Sequence, residues 1–454
     1  MPRGARAVPP AVVALLLSLL FLAVRVALLL AREPFFDELF TVWLARQPYS
    51  AILPALLHDS GPPLYYFFAR IPSVTALRVL SLMVACVPFA LLLWRRKFME
   101  AALLAVYPPA VLFAVDARAY ALCGALLAVA IVLLDARRPY AAAVVMALAA
   151  YSHYYAVLFF PLLLLGVPAD RAGSAGANDR AGGHGSHSSY RSYGSHRFSI
   201  VPALTAAILF LPGFWLALRQ PREAMAWNRD QSLFAPLLNL SFAGDYPHAL
   251  LLAVPIAVAI IATMLLGITG MRATRYLPFI VVPLILATLF ALTGRTVYYP
   301  LRFEAVLAFP LVLWLGASLG RWYKPPRRVL FVALMLLGVF SLYRGTIDHL
   351  RRPLDPYRQT ALVLREHAGN ATVVASGYLY LEAVNQLGGR VIAFPSEQAQ
   401  HPGWRATALV DPATLPPVFL WVGERGAPEL GVISRARRTS ILFENDKSLI
   451  VRVH

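Results

Sequence analysis

Residues 11–30 read AVVALLLSLLFLAVRVALLL, a continuous apolar run of the length a helix needs to cross roughly 30 Å of hydrocarbon. Runs of this kind recur down the chain. Of 454 residues, 59% are hydrophobic and 14% charged, against about 25% charged in a soluble globular chain. A closed barrel would alternate apolar and polar positions along each strand, and these runs do not alternate. The expected class is a polytopic α-helical membrane protein.

The formal net charge of +18 does not point to nucleic acid. Most Lys/Arg clusters fall in short connections between apolar runs, the positive-inside pattern that reports orientation. Cys86 and Cys123 both lie inside apolar runs, which suits small core residues and neither a disulfide nor a metal site. The start MPRGAR resembles a signal, but the run behind it is longer than an h-region and has no clear cleavage site. It reads as a retained first helix.

About eleven spans are expected, over 8–31, 73–94, 99–115, 119–134, 139–152, 154–168, 199–218, 248–270, 276–293, 303–320 and 327–343. Arg3 and Arg6 place the N-terminus in the cytoplasm. The clusters Arg95-Arg96-Lys97, DARR at 135–138 and RWYKPPRR at 321–328 then fall inside. The Gly/Ser/His/Arg-rich stretch 169–198 reads as a flexible inner loop. Residues 32–72 are too polar and too broken to span, and are expected to form one or two interfacial helices in the first external loop.

Two domains follow from this layout, a transmembrane body at 1–344 and an external tail at 345–454. The tail carries the β-like runs ATVVAS, RVIAF, PVFLWV and SLIVRV, split by polar and helical segments. It is expected to fold as a small α/β domain. The layout predicts a multi-pass protein of the cell's inner or plasma membrane, with its C-terminal domain periplasmic or extracellular.

Three polar clusters fall on the outer side. The first loop holds the pair Asp37-Glu38 within FFDELF and then HDSGPPLYY, with His58, Asp59, Tyr65 and Tyr66. DARAY brings Asp116, Arg118 and Tyr120 to the membrane face, and YYPLRFEA sets Arg302 and Glu304 at the start of the tenth span. Ionisable groups at such depth are costly unless paired or functional, and three clusters on one side suggest a shared polar cavity. Adjacent Asp37 and Glu38 do not easily reach one atom, so a working carboxylate pair is expected from Asp37 and Asp116. SHYY at 152–155 adds His153.

In order, spacing and sidedness these motifs resemble the bacterial members of the GT-C class over about residues 8–320. These are lipid-linked-sugar glycosyltransferases of family 39, related to protein O-mannosyltransferases and to the aminoarabinose transferase of lipid A. The resemblance implies a GT-C-like fold and an integral-membrane glycosyltransferase. Such an enzyme transfers a sugar from a polyprenyl-phosphate donor to a lipid, protein or glycan acceptor on the external face. It further implies that Asp37 is the catalytic base, that Asp116 is the second acid, and that Arg118 and Arg302 meet the lipid phosphate. Arg302-Phe303 departs from the Arg-Tyr often seen in relatives.

The chemistry suits those residue types. A carboxylate can take the acceptor's proton, and guanidinium groups can hold the departing phosphate through forked hydrogen bonds. One displacement inverts the anomeric centre. Glu38 counts with Asp37 and Asp116 as a catalytic candidate, in a supporting role. His58, Asp59, Tyr65, Arg118, Tyr120, His153 and Arg302 are the substrate-binding candidates. No metal ligand is assigned and no cofactor follows; a divalent metal is the alternative for His58 and His153. The other reading is a polyprenyl-lipid or glycan transporter or flippase without transferase activity, but no internal repeat of the kind transporters carry is visible.

Overall fold

The computed structural model describes residues 8–57, 59, 61–164, 200–220, 240, 242, 275–292, 301–320, 324–351, 354–377, 379–394 and 415–454. The expected eighth span 248–270, the loop 169–198 and His58 lie outside the described residues. Helix α1, Pro10–Ala31, has 22 residues, about 33 Å at 1.5 Å per residue. After it come α2 (Phe36–Arg46), α3 (Tyr49–Leu56) and α4 (Leu64–Phe68), the short helices of the first loop. The membrane body continues with α5 (Val74–Trp94), α6 (Phe98–Val106), α7 (Pro108–Leu112), α8 (Tyr120–Asp135) and α9 (Pro139–Ser152). A 3-10 segment (Tyr154–Leu164) and then α10 (Val201–Arg219), α11 (Pro278–Leu292), α12 (Arg302–Leu319) and α13 (Lys324–Arg351) complete it.

Five described helices, α1, α5, α10, α12 and most of α13, are long and apolar enough to cross a membrane, and a sixth span results if the α6–α7 pair counts as one. Helix α12 runs through the middle, with every side chain from Val306 to Leu315 buried. By contrast α1 and α10 expose rows of Leu, Ile and Phe, the surface a helix offers to lipid.

The expected straight span over 99–115 is broken: α6 and the segment that follows it meet at 71°. The cause is local. The carbonyls of Leu104 and Ala105 would accept from residues 108 and 109, which are both proline and have no N–H to give. Arg25, buried in α1, fills the gap, donating through Nη2 to Leu104 O at 3.2 Å and through Nη1 to Ala105 O at 3.0 Å. An intramembrane charge and two orphaned carbonyls thus settle each other.

Among the described residues the tail forms a five-stranded sheet in the order β2-β1-β3-β5-β4. Its strands are β1 (Val373–Ala375), β2 (Val391–Ala393), β3 (Phe419–Glu424), β4 (Thr439–Glu444) and β5 (Ser448–Val453). The first three pair in parallel, while β5 joins β3 and β4 antiparallel. Alternation sorts the side chains into two layers. Val373, Ala375, Leu420, Val422 and Ile450 face α14 (Pro356–Ala368) and α15 (Leu379–Leu387). Val374, Phe419, Trp421 and Val451 face α16 (Pro428–Ala436).

The first of these layers does not end with the sheet. It is one cluster with Leu39, Phe40 and Trp43 of α2, Ile52 of α3 and Tyr65 of α4. Arg46 adds a bond from Nη1 to Val384 O at 2.9 Å. The first loop is therefore packed between the membrane helices and the sheet.

Candidate active site

Successive helix residues stand about 100° apart, so Asp37 and Glu38 in the first turn of α2 enter different surroundings. Glu38 is fully buried. Its Oε1 accepts from Arg78 Nε at 2.8 Å and from the Ala117 N–H at 2.8 Å. Its Oε2 accepts from Arg78 Nη2 at 2.5 Å and from the Phe35 N–H at 3.3 Å. Arg78 also donates to the carbonyls of Arg32 at 2.7 Å and Glu33 at 2.9 Å. One bidentate pair thus ties α2, α5, the α1–α2 linker and the DARAY loop together. With four bonds on two oxygens, Glu38 is occupied by architecture.

Asp37 is partly exposed, and its Oδ2 lies 3.5 Å from Arg302 Nη2. Its carbonyl accepts from Thr41 Oγ1 at 3.0 Å and from Arg118 Nη1 at 3.3 Å. Arg118 donates in addition to the Tyr66 hydroxyl at 2.8 Å. Arg302 is the first residue of α12, turned in by Leu301 at φ 65°, and stands 5.8 Å over the Tyr120 ring. Arg302 thus meets the Asp37 carboxylate, while Arg118, from a distant segment, holds the backbone carbonyl of the same residue.

Asp116 is buried and bonds to Arg32, which also donates to Leu112 O at 3.1 Å. Burial pushes the Asp116 carboxyl up, and the Arg32 guanidinium opposes that shift. Asp37 and Asp116 are held by different cations.

The wall beside Arg302 is aromatic. Tyr120 lies 4.8 Å from Phe113 and 5.0 Å from His153, and His153 lies 4.2 Å from Tyr155. Nδ1 of His153 accepts from the Tyr155 N–H at 3.3 Å. Burial, then Arg118 and Arg302, push its pKa down to about 3, so the ring is neutral. Behind this wall, between α1, α8 and α12, lies a cavity of about 40 Å³ lined by Arg25, Phe113, Tyr120, Gly124 and Phe309.

Tyr65 sits farther back, with its hydroxyl 3.4 Å from Ser81 Oγ. Asp59 is buried where its charge reaches Arg118, Tyr66 and Tyr154. Among the described residues no three His, Cys, Asp or Glu side chains converge as a metal site would require.

Sequence reasoning missed Arg32, Arg78 and Gln220. Gln220 donates to Leu56 O at 2.8 Å and Gly61 O at 2.9 Å, and accepts from Tyr154 Oη at 2.9 Å, fastening the loop around Asp59. Arg78 carried a usable signal, since it lies inside an expected span, where a charge requires a partner. Nothing local marks Gln220.

No family model matches the chain, and no curated protein matches it. Among solved structures, the chain resembles ArnT from Cupriavidus metallidurans in the apo state, with a TM-score of 0.52 at 10% identity over 96% of this chain and 97% of that one. The structure of the same protein bound to undecaprenyl phosphate gives a TM-score of 0.41 at 12% identity over the same shares. At such identity the likeness to the apo structure is one of fold.

Proposed function

We propose that the chain is an inverting membrane glycosyltransferase of GT-C architecture with a polyprenyl-phosphate-sugar donor. The observation that carries this reading is the partly exposed Asp37 carboxylate, 3.5 Å from Arg302 and with Arg118 bonded to its backbone carbonyl, on a helix that Glu38 and Arg78 tie in place. In this reading the donor phosphate takes Arg302 and Arg118 as its partners and releases Asp37 from its ion pair. Asp37 then accepts the proton of the acceptor hydroxyl or amine. The acceptor atom bonds to the anomeric carbon as the bond from that carbon to the phosphate oxygen breaks, and the electron pair leaves on the phosphate. The products are the glycosylated acceptor and polyprenyl phosphate.

Asp116 takes no proton in this scheme; with Arg32 it shapes the DARAY loop that presents Arg118. Tyr120 and His153 form an apolar wall for sugar or the first isoprene unit. The remaining apolar segments bring the span count to about eleven. The site and the sheet unit lie on the external face of the cell membrane, with the N-terminus cytoplasmic. The acceptor is a lipid, protein or glycan.

Purified protein is expected to release polyprenyl phosphate from a polyprenyl-phosphate sugar when acceptor is supplied. Asp37→Asn keeps the shape and removes the base, and should slow transfer by about 100- to 10,000-fold with donor binding kept. Arg302→Ala should weaken donor binding roughly tenfold or more, the size of a lost charge-assisted bond. A folded Asp37→Asn protein that transfers sugar at the parent rate would remove Asp37 from this role.

A further inference from the structure

Helices α5 and α8 both begin at the candidate site and both end, 21 and 16 residues later, on the opposite side of the body. They stop in the same way. Arg96 N–H bonds Leu93 O at 2.9 Å and Lys97 N–H bonds Leu92 O at 2.8 Å. Arg137 N–H bonds Leu134 O at 2.9 Å and Arg138 N–H bonds Leu133 O at 2.8 Å. In each case the turning residue is left-handed, at φ 56° for Arg96 and φ 57° for Arg137. Glycine is the usual occupant of that position, because a side chain there is strained. This chain puts arginine there twice.

Nearby acids do not account for it. Asp135 is taken by Arg95 Nη1 at 2.8 Å and by the Tyr276 hydroxyl at 3.1 Å, with Arg275 3.9 Å away. Glu100 is taken by Lys97 Nζ at 3.3 Å. Arg96, Arg137 and Arg138 are all exposed, and among the described residues none pairs with a carboxylate. Neutralising the helix dipoles or setting orientation needs positive charge near the helix ends, and Arg95, Lys97 and Arg138 supply that without left-handed strain. The Arg95–Asp135 bond pins the two ends together, so Arg96 and Arg137 flank one ion pair. Trp94 and Tyr140 stand strongly exposed beside them, as belt aromatics do at headgroup depth.

We infer that this face is a seat for an anionic membrane phospholipid whose headgroup carries two phosphates, one met by Arg96 and the other by Arg137. The strain at both turns is kept because it aims the two guanidinium groups outward at headgroup level. The seat lies across the membrane from the candidate site and does not depend on the transferase reading.

The test is thermal unfolding and native mass spectrometry of the full chain in detergent. The probes are cardiolipin, phosphatidylglycerol at matched charge, phosphatidylcholine, and free pyrophosphate. Cardiolipin is expected to raise the melting temperature, with one molecule retained per chain, and to do so more than the other three. The double variant R96G/R137G should melt higher than the parent without lipid, since the strain is relieved, yet lose the cardiolipin-dependent rise or need roughly tenfold or more lipid for it. R96N/R137N, with a side chain that tolerates the left-handed turn, guards against a misfolded glycine variant and should lose the rise as well. An undiminished rise in either folded double variant overturns the seat. An equal rise from phosphatidylglycerol overturns the two-phosphate headgroup, and an equal rise from pyrophosphate overturns a lipid as occupant.

Discussion

Two neighbouring carboxylates on α2 differ in kind because their surroundings differ. Asp37 keeps solvent access and one loosely held partner at 3.5 Å, whereas Glu38 has four bonds and no exposure. Removing one member of a buried ion pair leaves the other charged and uncompensated, at about 3–5 kcal/mol. Glu38→Gln should therefore lower the unfolding free energy by that order, with α2 loosened, while Asp37→Asn leaves the melting temperature within a degree or two of the parent. Thermal unfolding of the two variants side by side decides this, and equal melting would mean that the Glu38–Arg78 pair is not a structural tie. Asp37, Asp116, Arg118 and Arg302 were legible in the sequence because an ionisable group beside an apolar run stands out. Their pairing was not. Arg32 reaches Asp116 across 84 positions and Arg78 reaches Glu38 across 40, and no local pattern encodes such distances.

At the scale of elements, the long apolar helices and four of the five strands were readable, since burial imposes their period. The strand that escaped notice, β4, is an edge strand whose first three residues are exposed, so it shows no buried alternation. The break between α6 and α7 was written in Tyr107-Pro108-Pro109, but only the packing shows what it serves. Gly338 of α13 lies against it: a Cβ at that position would stand 2.5 Å from the Val106 carbonyl oxygen. That oxygen belongs to the backbone, so it has little room to yield. Gly338→Ala is expected to cost about 1–3 kcal/mol, as overpacking does. Gly389→Ala meets nothing within 4 Å and serves as the control. Equal melting temperatures for the two would mean that α13 does not rest on the break.

Across the whole molecule, the sheet unit and helix α2 form one packed body, so the conditions that loosen the sheet should reach the candidate site. Arg46 of α2 bonds Val384 of α15, and two residues earlier Glu382 faces Arg358 and Asp355 of the sheet unit and Glu33 of the α1–α2 linker. Arg358 Nε stands 3.8 Å from Glu33 Oε1. Burial, eased by Arg358 and reinforced by the two other acids, pushes the Glu382 carboxyl from its ordinary 4.5 up to about 7. In the unfolded chain Glu382 gives up its proton near 4.5, while the folded chain keeps it until about 7. Between those values the folded protein binds more protons, so stability falls as pH rises, by on the order of 3 kcal/mol in all. Glu382→Gln holds the neutral shape at every pH. It should match the parent near pH 4.5, melt higher than the parent at pH 8, and lose this part of the decline between them. The protection factors of the amides in α2 and α15, the intrinsic exchange rate at each pH divided by the observed rate, should fall in the parent over the same interval and stay level in the variant. If the two proteins instead keep a constant difference in melting temperature from pH 4.5 to 8, Glu382 does not titrate at this interface and the sheet holds α2 by apolar packing alone.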